Sequence, residues 1–215
     1  MTELCLNECE LGEGGGQAIA AALRVNTTSL NLDANSLGEG GAQAIAAALR
    51  ENHTLTELNL GYNWLREGGG QAIAAALREN HTLTELNLGY NSLGEGAQAL
   101  AAALRVNSTV TSLNLWNNSL REGAGQAVAA ALRVNSTVTS LNLSSNNLLG
   151  EGGGQAIAAA LRLNSTVTSL DLWDNWLGEG GGQAIAAALR ETHTLTELNL
   201  GDNSLGEGGE SVRES

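Results

Sequence analysis

Three histidines, His53, His81 and His193, sit in the same short turn, "NHT" or "THT". Metal coordination is the first chemistry such a set suggests, but a site needs more ligands than two neighbouring imidazoles. No cysteine or further histidine joins His53 and His81, so all three read as solvent-facing turn residues. A column of glutamates offers paired carboxylates for acid–base work: Glu13, Glu39, Glu67, Glu95, Glu122, Glu151 and Glu179. Catalytic pairs need environments that push their two groups apart. Here every copy stands in one context, and a place just before a helix, complementing its dipole, accounts for the column. "GEGGGQ" shares glycines with phosphate-cradling loops but lacks their Lys and Ser/Thr, and the chain has no Lys. An N-x-[ST] sequon recurs at one repeat position, copied six times, at Asn26, Asn52, Asn80, Asn107, Asn135 and Asn164. No G-x-S-x-G nucleophile elbow is present. We therefore expect no catalytic residues, no metal and no cofactor.

Charge and composition narrow the partners. The net charge is −13, with no Pro and no Phe. Nucleic acid and anionic membranes both call for a basic footprint, so neither is expected. A basic protein or peptide fits better. Cys5 and Cys9 are too few for a disulfide framework. The opening "MTELCLNECELGEGGG" has no basic or apolar signal region, and no apolar run approaches the ~20 residues of a membrane span. The expected setting is cytoplasmic, and modification of the sequons is not expected.

These residues are carried by a repeat. "ENHTLTELNLGY" occurs twice, at 51–62 and 79–90. The Leu before "NL" ("CL" in the first unit, "DL" in the seventh) falls at Leu4, Leu30, Leu58, Leu86, Leu113, Leu141, Leu170 and Leu198, at spacings of 26, 28, 28, 27, 28, 29 and 28. The first unit lacks two residues near Thr27–Thr28, the fourth lacks one in "GEGAQAL", and the sixth gains a Leu in "NNLLGEG". In the unit 55–82, Leu58 and Leu60 alternate with Glu57, Asn59 and Gly61, the period of a half-buried strand. Ile73, Ala76 and Leu77 then follow the spacing of an amphipathic helix. The glycine run between them is expected to let the chain turn.

The strand half reads L-x-x-L-x-L-x-x-N-x-L, the leucine-rich-repeat pattern. With "GGGQAIAAAL" as its second half, the chain resembles the ribonuclease-inhibitor-like subclass. That subclass includes ribonuclease inhibitor, the Ran GTPase-activating protein and the repeat regions of NLR-type receptors. The resemblance implies an α/β solenoid, a horseshoe with a parallel β-sheet on the concave face and α-helices on the convex face. Residues 1–215 then form a single leucine-rich-repeat domain of seven full units of about 28 residues plus a partial C-terminal unit. Stacked strands lie ~4.8 Å apart and packed helices ~8–10 Å, so the stack must curve. Asn63, Asn91, Asn118, Asn146, Asn175 and Asn203 should form an internal ladder, with Cys9 as its variant in the first unit. Both ends look weakly protected, so end-to-end self-association is expected.

Identical positions carry the fold, so specificity must lie where units differ. Two columns follow each "LNL". The first runs Asn7, Asp33, Gly61, Gly89, Trp116, Ser144, Trp173, Gly201, and the second Glu8, Ala34, Tyr62, Tyr90, Asn117, Ser145, Asp174, Asp202. Trp64 and Trp176 sit just beyond, so all six Trp and Tyr residues gather here. Exposed Trp and Tyr are enriched at binding hot spots. Glu57, Glu85, Asp171 and Asp174 flank them. The expected site is a groove between Trp116 and Trp173 that binds a basic peptide or protein surface without catalysis. Drift at solvent positions is the alternative reading of the columns. For the whole chain the alternatives are a regulator of an enzyme (a GTPase activator or a ribonuclease-inhibitor-like protein) and a designed or fragment array without an evolved partner. Units also fall into two subtypes, with Glu57, Glu85 and Glu197 on the strand in one and Ser112, Ser140 and Ser169 in the other.

Overall fold

Each unit turns its leucines inward through a three-residue strand and then a helix. The computed structural model describes residues 3–23, 27–147, 149–207 and 209. Within them the order is β1 (Glu3–Cys5), α1 (Gly12–Ala22), β2 (Ser29–Asn31), α2 (Gly38–Glu51), β3 (Glu57–Asn59), α3 (Arg66–Leu77), β4 (Glu85–Asn87) and α4 (Gly96–Leu104), followed by β5 (Ser112–Asn114), α5 (Glu122–Leu132), β6 (Ser140–Asn142), α6 (Gly150–Leu161), β7 (Ser169–Asp171), α7 (Gly178–Leu189) and β8 (Glu197–Asn199). The strands form one parallel sheet in chain order, β1 to β8. The register pairs the phase leucines directly, from Leu4 with Leu30 through to Leu170 with Leu198. Unequal unit lengths leave this register intact, because the missing or extra residues fall outside the strands.

The core lies between sheet and helices. In the third unit Leu55, Leu58, Leu60, Leu65, Ile73 and Leu77 are all buried. Each such side chain stabilises the fold by about 1.5–3 kcal/mol through loss of apolar surface from water. Small Ala residues on the inner helix faces keep the two layers close.

The glycine run does something other than expected. Only its leading residue turns the chain, as at Gly38 (φ 64°) and Gly178 (φ 62°). The others lie inside helices, where at most positions a side chain would crowd a neighbour, Gly14 being open. A Cβ on Gly154 would stand 3.4 Å from the Gly181 backbone, and one on Gly16 would stand 3.0 Å from that of Gly41. The run therefore serves close helix packing. Six of the seven glutamates are also inside rather than before the helix, while Glu95 stands just before α4; Glu67 is in the first turn of α3, where Gln71 donates to it at 3.1 Å.

The Asn ladder holds the turns after the strands. Asn91 Oδ1 accepts from the amides of Asn63 and Leu65 in the preceding unit, and its Nδ2 donates to the carbonyls of Leu60, Leu88 and Gly89. Asn35 belongs to the same series, and Cys9 donates its amide to Asn35 Oδ1. The ladder breaks at the sixth unit. Leu149 donates its amide to the carbonyl of Asn146 instead, and the fully buried Asn175 Oδ1 is left without a partner among the described residues. The single inserted residue shifts the donors out of line.

Candidate functional site

The face of the sheet turned away from the helices carries the variable columns. Glu57 and Glu85 open β3 and β4, pair in register and are both exposed. With Asn59, Asn87 and Asn114 they line a shallow groove. At the sheet's rim, Tyr62 and Tyr90 occupy left-handed backbone at φ 53° and 55°, as does Trp64 at 55°. Two left-handed residues flank the ladder Asn in this turn, and they swing the side chains beside them outward.

Four rings meet there. Tyr62 stacks on Tyr90 at 4.6 Å between centroids. Trp116 approaches Tyr62 edge-on at 5.5 Å and lies 5.7 Å from Tyr90, while Trp64 meets Tyr90 edge-on at 6.3 Å. Such pairs contribute about 0.5–1.5 kcal/mol each beyond burial. Tyr62 remains 42% exposed and Trp64 53%, so the cluster presents a surface and is not core.

The groove expected between Trp116 and Trp173 is not the arrangement found. The two indoles lean apart. Trp116 lies over Gly89 in the unit before it, and Trp173 over Gly201 in the unit after it. Ser144 between them is buried. Gly61 and Gly89 do not face solvent as expected, since Asp33 and Trp116 cover them. Asp33, Trp116 and Trp173 of the first column thus each rest on a neighbouring glycine. Burial, and then the nearby Glu8, raise the Asp33 carboxyl above its ordinary range.

The ten expected residues divide into two groups. Tyr62, Trp64, Tyr90 and Trp116 form the ring cluster, with Glu57 and Glu85 on the same stretch of units. Asp171, Trp173, Asp174 and Trp176 lie on the seventh unit. Asp171 there accepts the Trp173 amide at 2.9 Å. Trp173 and Trp176 are 39% and 64% exposed.

The three histidines are exposed turn residues. Among the described residues no group of three His, Cys, Asp or Glu could hold a metal, and no helix is long and apolar enough to cross a membrane. Cys5 and Cys9 are exposed free thiols, and a hydrogen bond to Glu3 holds the Cys5 thiol above its ordinary value.

Sequence reasoning missed a second ladder. The sequon residues Asn52, Asn80, Asn107, Asn135 and Asn164 are buried; Asn26 lies outside the described residues. Asn80 Nδ2 donates to the carbonyls of Leu49 and Asn52 in the preceding unit, and its Oδ1 accepts from Thr82 and Leu83. These amides satisfy helix-end carbonyls that would otherwise lack partners. The recurrence of Asn ahead of β2 to β7 was the available signal.

Comparison with known proteins agrees with this geometry. No curated protein matches the chain. Among solved structures, LegL7 of Legionella pneumophila, a leucine-rich repeat-containing protein, is similar at 28% identity and a TM-score of 0.59, over 95% of this chain and 67% of that one. The leiomodin-1 actin-binding site 2 is similar at 26% identity and 0.56, over 68% and 91%. The tropomodulin C-terminal domain of Caenorhabditis elegans shares the fold at 14% identity and 0.56, over 80% and 96%. The family model described as Leucine Rich repeat matches residues 51–74, 79–101, 134–158, 163–186 and 192–210. That is just over half of the chain, and with its leucines in register and its Asn ladder in place, the chain belongs to the leucine-rich repeat family.

Proposed function

We propose that the chain is a single non-enzymatic interaction domain, cytoplasmic in setting, that receives a basic peptide or protein surface on its concave sheet face. The observation that carries this reading is the four-ring cluster of Tyr62, Tyr90, Trp116 and Trp64 on the units that also carry Glu57 and Glu85. Two like charges in register on adjacent strands stand about 4.8 Å apart and repel each other. A guanidinium or ammonium group from a partner relieves that repulsion, and the ring faces attract the same cation. A helix in each of the seven full units, with spacings of 26 to 29 residues, supports membership of the ribonuclease-inhibitor-like subclass. The likeness to leiomodin-1's actin-binding site supports a protein partner. Half-buried Leu4 and Leu6 at one end and Leu198 and Leu200 at the other support end-to-end self-association.

An extended peptide of alternating Arg and Ser, titrated calorimetrically, tests the reading. Saturable binding is expected, with Trp116→Ser or the pair Glu57→Gln and Glu85→Gln weakening it by about tenfold. Trp173→Ser reports separately on the seventh unit. Binding that none of these changes would remove the sheet face from consideration.

A further inference from the structure

The outer edge of the helix layer carries a second pattern, independent of the sheet face. Glu79, Val106, Val134, Leu163 and Glu191 occupy one backbone position. Each amide donates to a helix-end carbonyl, of Ala76, Ala103, Ala131, Ala160 and Ala188 respectively. Where this position is Glu, the arginine of the preceding unit reaches it: Arg50 lies 3.7 Å from Glu79, and Arg162 lies 3.4 Å from Glu191. In the three middle units the carboxylate is gone. Val106, Val134 and Leu163 stand in its place and are 64%, 58% and 61% exposed.

Each replacement has two effects at once. It puts an apolar side chain into water, and it deprives Arg78, Arg105 or Arg133 of the acid that its counterparts use. None of these three arginines has an ion-pair partner among the described residues. The exposed alanines one turn earlier, Ala102, Ala130 and Ala159, extend the apolar strip along the helices. Neighbouring helices pack about 8–10 Å apart, so the strip is continuous across three units. The two Arg–Glu pairs close it at both ends. Single exposed apolar residues are ordinary, whereas a contiguous row bounded by charge marks an interaction surface.

We propose that this edge docks an acidic amphipathic segment of a partner protein. Its apolar side chains cover Val106, Val134 and Leu163. Its carboxylates take, beside Arg78, Arg105 and Arg133, the place that Glu holds in the flanking units. On a chain of net charge −13 this is a local positive island, so an acidic segment is repelled elsewhere and steered here. The same overall charge repels an anionic membrane, which needs a broad basic footprint.

The probe is a fluorescein-labelled peptide with Leu at helical i, i+3, i+4 spacing and Glu at the remaining positions, followed by anisotropy. Wild-type chain should bind it saturably. The triple variant Val106→Glu, Val134→Glu, Leu163→Glu should lose at least about tenfold in affinity. It should still fold, because the third and seventh units already carry Glu there. Replacing Arg78, Arg105 and Arg133 with Gln should weaken binding and flatten its salt dependence, while Trp116→Ser should leave it unchanged. Undiminished binding by the triple-Glu variant, or no saturable binding by the wild type, overturns the proposal. So does equal affinity for the same peptide with Lys in place of Glu when measured on the Glu57→Gln, Glu85→Gln variant, whose sheet face no longer attracts cations. Retention on phosphatidylserine vesicles that the triple variant abolishes would assign the strip to a membrane instead. Dimerisation that this variant abolishes would assign it to a second copy of the chain.

Discussion

Side chains on the sheet face are placed by the residues they rest on. Trp116 lies flat because its neighbour in the preceding unit is Gly89, where a methyl would collide with the indole. Only then can it meet both tyrosines. Gly89→Ala should therefore lift Trp116 out of the cluster. The indole can swing away, so the stability cost is expected to stay near about 1 kcal/mol. The readout is a red-shifted Trp emission with a nearly unchanged melting temperature. An unaltered spectrum would mean the indole is not held by this contact. The tyrosines depend on backbone instead. Their left-handed φ values are uncommon for residues with a side chain and recur at this position in every unit, as at Ala34 and Asp202.

At the scale of the element, two rows of asparagines do for the turns what hydrogen bonding along the axis does for helices. Asn118 satisfies five groups: the amides of Asn91 and Leu93 and the carbonyls of Leu88, Leu115 and Trp116. Asn175 donates to the carbonyls of Leu143 and Trp173, but its Oδ1 has no partner among the described residues. A buried group deprived of its partner costs about 1–3 kcal/mol. Asn118→Ala is therefore expected to destabilise by about 4 kcal/mol and Asn175→Ala by about 2 kcal/mol less, as read by urea denaturation. Equal losses would show that the break at the sixth unit has no energetic consequence. The second row, Asn52 to Asn164, has the same logic at the other end of the helix, and its burial leaves no room for a glycan on the folded chain.

Across the whole molecule, each unit stabilises only its neighbours, so the terminal units differ from the inner ones. Leu58 and Leu86 are buried where Leu4 and Leu198 are half-buried. The parallel edges of β1 and β8 carry backbone groups in the same register as every internal pair. Stacking one chain's last strand on another's first would extend the sheet without new geometry. Light scattering across a concentration series should show a mass that rises with concentration. A constant monomer mass would count against it. The self-repulsion of a chain with net charge −13 opposes such stacking, so the rise should be steeper in added salt.

Much of this was legible in the residues. The spacing of leucines fixes strand phase, because a period of two leaves one face for the core, and Leu58 is buried between exposed Glu57 and half-buried Asn59 as that period requires. The first Asn ladder is legible for the same reason: one polar residue recurs at an otherwise apolar turn. The columns of Trp and Tyr also contain the four rings, Tyr62, Trp64, Tyr90 and Trp116, that meet at the rim. What the linear sequence could not convey is which neighbour each side chain leans upon. Trp116 turning to Gly89 and Trp173 to Gly201 depends on free volume in adjacent units, a property of the stack and not of the repeat. The exposed row of Val106, Val134 and Leu163 is likewise visible only once stacking sets each beside an arginine from the unit before. A single unit's sequence determined its own strand, turn and helix, because those rest on local period and backbone hydrogen bonding. Tertiary structure alone decided the surfaces, because every surface here is shared by two or more units.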